Sequence, residues 1–302
     1  MPVPATTAAR PAPHTPDSRG PHTPDSRGPH TPDSGRPHTP DGSELAGRCA
    51  VLLHAHPDDE AIFTAATMHR LAAAGARVVL VTATAGELGP VLRPLKPGET
   101  LAARRRAELE RACELLGVAR LVLLGHRDSG MAGWDANAHP DALVAAPVGA
   151  VARRLADLCA AEGAEALVHY DPGGIYGHPD HVAVHRVGAA AAALAGVTAY
   201  EATLDRARPR SRRTHLVDRA AAGTPVGWAA PETVIQADPA DLRAKRAAMA
   251  AHGSQVPREA VRRAGFAAAY GREWFRRGPA LGMLDEVAAP AGTQRVGAAL
   301  TG

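Results

Sequence analysis

The amino-acid sequence predicts an α/β fold built on a doubly wound, mostly parallel sheet, and three observations predict it. Apolar runs of strand length alternate with helix-length segments from Leu45 onward. A glycine stands just past each of five predicted helices. Two of the apolar runs end abruptly in stretches rich in His and Asp, where open parallel sheets place their ligands. Repeated βα units of this kind make the sheet Rossmann-like.

Residues 1–44 come first and do not belong to that pattern. They hold an octapeptide in four copies, PHTPDSRG from Pro13 and Pro21, PHTPDSGR from Pro29 and PHTPDGSE from Pro37. The repeat has no apolar residue to bury, so it is expected to be a disordered N-terminal tail. Its His14, His22, His30 and His38 could collect metal, and its Thr-Pro steps could accept phosphate. Residues 45–302 are expected to form one domain.

Within that domain, strands are predicted at Ala50–Leu53, Val78–Thr82, Leu121–Leu124, Ala166–Tyr170, Val197–Glu201 and Thr233–Gln236. Helices are predicted over Glu60–Ala74, Thr100–Leu116, Val148–Glu162, Pro179–Ala195 and Pro239–His252. Gly75, Gly117, Gly163, Gly196 and Gly253 follow them as C′ residues. Asp238-Pro239 is an N-cap and N1 pair. The chain after Pro257 reads as basic and irregular, with Tyr270, Trp274 and Phe275 closing the sheet edge or forming an oligomer contact.

Composition excludes several function classes. Aromatic residues are 3% of the chain, so the core must be built from Ala, Leu and Val. The net charge of +3 arises from 34 basic and 31 acidic residues, which does not by itself imply nucleic acid. No basic stripe or aromatic platform is present either. Cys49, Cys113 and Cys159 show no metal or disulfide spacing, which points to a reduced, cytoplasmic chain. No run of 18 apolar residues exists to span a membrane. The N-terminus lacks the apolar region of a secretory signal. No G-x-G-x-x-G follows the first strand and no G-x-S-x-G appears, which argues against a dinucleotide site and a serine hydrolase.

The first polar strand end is Ala50-Val51-Leu52-Leu53-His54-Ala55-His56-Pro57-Asp58-Asp59-Glu60. Adjacent residues leaving a strand point in different directions, so one aspartate can hold a metal while the other handles a proton. His56 offers nitrogen and a carboxylate offers oxygen, a mixture typical of catalytic zinc. The second strand end is Tyr170-Asp171-Pro172-Gly173-Gly174-Ile175-Tyr176-Gly177-His178-Pro179-Asp180-His181. Convergence of the two above one sheet would give His56, Asp59 and His181 as ligands, with a fourth position open for water.

HAHPDDE, TATAGELG at Thr82 to Gly89, and YGHPDH at Tyr176 to His181 together resemble the PIG-L/LmbE-like zinc de-N-acetylases. The likeness runs from about Arg48 to about Tyr270. It implies an LmbE-like fold and removal of acetyl from an N-acetylglucosaminyl substrate, with the glucosaminyl-inositol branch nearest in look. It implies His56, Asp59 and His181 as ligands of one Zn²⁺ per chain, for which Fe²⁺ could substitute. It further implies Asp58 as general base, with His178 stabilising the oxyanion or acting as acid and Tyr176 donating to the same oxyanion.

Substrate-side residues follow from the same likeness. Arg105, with Glu108, falls where the family has a sugar-side R-x-x-E-L motif. Asp128 in His126-Arg127-Asp128-Ser129-Gly130-Met131 resembles the acid that holds sugar hydroxyls. Glu87 in TAGELG is expected to position a ligand or Arg105. Lys245 and His252-Gly253-Ser254-Gln255 resemble a family helix end, although a His at a helix C-terminus is also favoured by the dipole alone. The five arginines from Arg206 to Arg213 read as a solvated loop. The chain departs from the glucosaminyl-inositol branch at Pro90, where that branch has a second acid, and in the short, proline-rich loop Pro90–Glu99. The chemistry therefore carries over better than the substrate. A thiol-conjugate amidase or a deacetylase of a glycosylated natural product stays open, while intact HPDDE and HPDH argue against a mere binding module. The expected partner is a small amino-sugar, and a homo-oligomer stays open.

Overall fold

In a computed structural model of the chain, residues 44–207 and 226–288 are described. The octapeptide tail and the arginine-rich segment from residue 208 to 213 lie outside the described residues. The first strand, β1 (Cys49–His54), is buried along its whole length. A continuous apolar run buried on both faces is what an interior parallel strand requires. The chain then makes a π-helical turn over Glu60–Thr64 before α1 (Ala65–Ala73). The sequence predicts one regular helix here. At the start of the wider turn the Asp58 carbonyl accepts from the amides of both Ala61 and Ile62, and at its end the Thr64 hydroxyl donates back to the Glu60 carbonyl. Such turns concentrate at functional sites.

Strand β2 (Arg77–Thr84), helix α2 (Leu101–Leu116) and strand β3 (Arg120–His126) follow. Thr100 caps α2 by accepting from the Ala103 amide, and Gly117 ends it in the left-handed conformation. Helix α3 (Val148–Glu162), strand β4 (Ala164–Tyr170), the short α4 (Gly174–Gly177) and α5 (Pro179–Ala195) build the second half. Strand β5 (Thr198–Thr203) completes the parallel set. Strand β6 (Thr233–Gln236) leads into α6 (Pro239–Ala251), which opens with a reciprocal capping box between Asp238 and Asp241.

The basic stretch after Pro257 is more regular than the sequence suggests. It contains α7 (Arg258–Arg262), α8 (Phe266–Tyr270), β7 (Arg272–Arg277) and α9 (Met283–Ala288). Its strand REWFRR is hidden because it carries Arg272, Arg276 and Arg277, and its inward acid, Glu273, pairs with the distant Lys245 at 2.5 Å. Tyr270, Trp274 and Phe275 are all buried within the chain. Trp274 and Phe275 thus close the sheet from inside. A second departure concerns Gly253, which follows the C-cap His252 of α6 and has no positive φ.

The sheet order is β3-β2-β1-β4-β5-β7-β6, parallel except where β7 runs against β5 and β6. Chain direction along the sheet reverses between β1 and β4. The crevice outside their carboxyl ends is the place where doubly wound sheets bind ligands. Among the described residues no helix is long and apolar enough to cross a membrane. Cys49, Cys113 and Cys159 are free and buried.

Candidate active site

The two polar stretches do converge at that crevice. His56, Asp58 and Asp59 leave β1, while Tyr176, His178 and His181 come from the β4–α5 connection, and all six are buried. A cavity of about 440 Å³ opens over His56, Asp58, Asp59, Tyr176 and His178. Its mouth is formed by Leu88, Pro90, Met131 and Trp134, the last of which is 49% exposed.

His56 is gripped on both ring nitrogens. Its Nε2 lies 3.1 Å from Asp180 Oδ2, and its Nδ1 lies 3.4 Å from Asp59 Oδ2. Asp180 is itself fixed by the amide of Ser129 at 2.9 Å and by the Ser129 hydroxyl. Asp59 Oδ2 accepts from the His56 amide at 2.9 Å and stands 3.2 Å from His181 Nε2. Neither ring nitrogen of His181 has a hydrogen-bond partner among the described residues, although the side chain is fully buried. A buried polar group left in that state needs a partner.

A divalent cation fits this donor set. Two donors about 2 Å from one tetrahedral ion lie roughly 3.3 Å apart, close to the two separations that Asp59 Oδ2 makes with His56 and His181. His56, His178 and His181 also place one nitrogen each within 4.8 Å of one another. His178, however, is already engaged. It is the N-cap of α5, and its Nδ1 accepts from the Asp180 amide at 3.1 Å. Burial and the neighbouring His56 and His181 push its pKa down to about 2, so the ring is neutral and its Nε2 carries the proton. That makes His178 a donor into the cavity more readily than a ligand.

Asp58 is set apart from Asp59 by its backbone. Its φ of 118° lies in a region that side-chain-bearing residues rarely adopt, at a cost of roughly 1–3 kcal/mol. Burial pushes its carboxyl up to about 6, with Arg105 opposing the shift and Asp59 adding to it. Arg105 is buried and donates to the Gly86 carbonyl at 2.7 Å, to the Pro57 carbonyl, and to Asp58 Oδ1 at 3.2 Å. A Cβ on Gly86 would sit 2.4 Å from the Arg105 guanidinium carbon, which explains the glycine of TAGELG.

Of the remaining sequence-predicted residues, Asp128 and Gln255 line the cavity, and Glu87 and Lys245 do not. Glu87 Oε1 accepts from the Asp128 amide at 3.1 Å, so it braces the Asp128 loop, while Arg105 is held by the adjacent Gly86. Asp128 accepts from the amides of Leu88 and Gly130 and faces the cavity. Lys245 pairs with Glu273 in the core and does not reach the cavity lining. Gln255 does line it, donating to the Pro90 carbonyl at 2.7 Å. Sequence reasoning assigned no role to Asp180, Glu60 or Ser129. The first two carry their signal inside HPDH and HPDDE, and Ser129 follows Asp128 in the rim loop.

Fold and site together define a Rossmann-like α/β protein with a His/Asp cluster at its strand ends that could hold a metal ion. The chain belongs to the PIG-L family. The family model described as GlcNAc-PI de-N-acetylase matches residues 51–192. A Thermobifida fusca protein named 1D-myo-inositol 2-acetamido-2-deoxy-alpha-D-glucopyranoside deacetylase is 39% identical over 241 residues, covering 69% of this chain and 84% of its own length. A Streptomyces scabiei protein of the same name is 45% identical over 168 residues, and the match spans 52% of each chain. Several other curated relatives are likewise matched over about half their length. The solved structure of an A40926 pseudoaglycone deacetylase shares the fold at a TM-score of 0.53 and 19% identity, over 77% of this chain and 98% of the other. So does the N,N'-diacetylchitobiose deacetylase of Pyrococcus horikoshii, at 0.50 and 23%, over 77% and 84%.

Proposed function

We propose that the chain is a metal-dependent de-N-acetylase acting on an N-acetylglucosaminyl substrate, with glucosaminyl-inositol the first candidate. The single observation that carries this reading is the Asp59 carboxylate standing between His56 and a His181 whose ring nitrogens have no other partner. His56, Asp59 and His181 would hold one Zn²⁺, or Fe²⁺ in its place. A cation there would polarise the acetyl carbonyl and lower the pKa of the attacking water.

The chain's own residues supply the rest. Asp58 takes the proton from the attacking water, and a carboxyl poised near 6 suits that task. His178, neutral with its proton on Nε2, donates to the oxygen on which charge develops, and Tyr176 donates to the same oxygen. Arg105, which also lines the cavity, orients Asp58 through the 3.2 Å contact. Asp128 and Glu87 shape the rim that receives the sugar hydroxyls. The names of the relatives support the inositol-linked substrate. The apolar mouth of Leu88, Pro90, Met131 and exposed Trp134 favours a second reading, a larger and less polar aglycone. The free cysteines suit a reducing compartment, the cytoplasm.

Acetate release should be measured from N-acetylglucosaminyl-inositol, from N-acetylglucosamine and from apolar N-acetylglucosaminides, each with zinc added. Release from the inositol conjugate above the others supports the first reading. Faster release from the apolar glycosides selects the second, and no release from any of them rejects the de-N-acetylase assignment.

A further inference from the structure

Glu60 is the last residue of HPDDE, and nothing above gives it a role in the chemistry. It is fully buried. One carboxylate oxygen, Oε2, accepts from the amide of Asp58 at 2.9 Å. The other, Oε1, lies 2.5 Å from Nε2 of His252, itself fully buried at the end of α6 and 192 residues away in sequence. The Asp58 carbonyl is held from the other side by the amides of Ala61 and Ile62 at 3.1 Å each. Both backbone polar groups of this strained aspartate are therefore fixed, and among the described residues the amide is fixed only through Glu60. The segment that carries His252 is anchored in turn. The Ser254 amide and hydroxyl donate to Glu108 on α2 at 2.9 and 2.6 Å.

We propose that Glu60 and His252 are positioning residues: they form a buried brace, anchored on α6, that holds Asp58 in its positive-φ conformation and so aims its carboxylate at the attacking water. The proposal rests on the assignment of Asp58 as the base. A strained backbone persists only where its surroundings over-determine it, and Glu60 supplies the acceptor without which the Asp58 amide would be buried and unpaired. Neither residue lines the cavity, so neither touches substrate. Displacement of a reacting group by about 1 Å can cost roughly 10²-fold in rate.

Two conservative variants separate this role from that of a buried charge pair. Glu60→Asp keeps the charge facing His252 but withdraws the acceptor from the Asp58 amide by one methylene. Glu60→Gln removes the charge but keeps an acceptor at full reach. The brace predicts that Glu60→Asp loses about 10- to 100-fold in kcat with KM and bound metal unchanged, and that Glu60→Gln retains most of the wild-type kcat. A role confined to charge balance predicts the opposite order, and that order overturns the proposal. The same Glu60→Asp change is then made in an Asp58→Asn background. Residues that act through one another are non-additive, so no further loss is expected there, and an equal second loss overturns the brace. If Asp58→Asn alone leaves kcat untouched, the base assignment falls and the brace falls with it. A reversed Asp/Gln order in an enzyme that does depend on Asp58 rejects the brace alone.

Discussion

Asp59 Oδ2 lies 3.2 Å from His181 Nε2, and that nitrogen is fully buried without a hydrogen bond. Two acceptor-type atoms facing each other at this distance repel unless a proton or a cation lies between them. Purified protein is therefore expected to carry about one divalent ion per chain by elemental analysis, with zinc or iron the candidates. His181→Ala should lose most of it, since a three-ligand site has no spare donor. Wild-type metal content in that variant would reject the ligand assignment.

Gly188 on α5 meets His169 on β4 at a distance no side chain could share. A Cβ at residue 188 would stand 2.4 Å from both Cβ and Cγ of His169. Helix α5 begins at the site with His178 and His181, so its seating on β4 also sets the height of those two rings. Gly188→Ala gains helix propensity, worth up to about 1 kcal/mol. The overpacking it forces costs more, typically about 1–3 kcal/mol. The expected outcome is a lower urea midpoint with an unchanged slope, and a midpoint at or above wild type would show that helix and strand can part without cost.

His169 also gives the fold a pH dependence whose sign can be worked out. Burial, with His185 adding to it, pushes its pKa down to about 3, against 6.5 for an ordinary histidine. As pH falls below 6.5 the unfolded chain takes up a proton that the folded chain refuses. The contribution is present in full above 6.5 and is lost as pH falls towards 3. Between pH 6.5 and 5 the loss from this one group is about 2 kcal/mol. His169→Asn should flatten the decline in unfolding free energy over that interval by a similar amount. An identical decline in both proteins would mean that other groups govern the acid limb.

The sheet and the convergence of the His/Asp cluster were legible because their signals are local. CAVLL and ALVHY are apolar runs that stop at a histidine or a tyrosine-aspartate step, and a strand end above a parallel sheet has few other uses for such residues. The brace was not legible, because Glu60 and His252 meet across 192 residues and each looks like an ordinary helix-terminal residue on its own. Strand β7 was hidden for a related reason. Its Glu273 reads as a surface acid until Lys245, 28 residues earlier, is seen to neutralise it in the core. Arg105 shows the limit of motif reasoning. Its place in the helix marks it as a candidate, but only the fold reveals that it donates to the Pro57 carbonyl and to Asp58 as well as lining the cavity.

Asp58 and Asp59 are adjacent acids in one cavity, and amide replacements should separate them. Asp59 Oδ2 faces both His56 and His181, whereas Asp58 Oδ1 faces Arg105. Asp58→Asn keeps the shape and the contact to Arg105 but cannot accept a proton. It should retain metal and lose turnover by about 10²–10⁴, the span expected for a general base, with substrate binding preserved. Asp59→Asn puts a neutral amide where the cation needs a carboxylate, so metal affinity should fall first and excess zinc should restore part of the rate. The two variants thus respond oppositely to added zinc. Rescue of Asp58→Asn by metal would show that the two roles are reversed. Full activity in both variants would reduce the HPDDE stretch to a capped turn and reject the roles assigned to both aspartates.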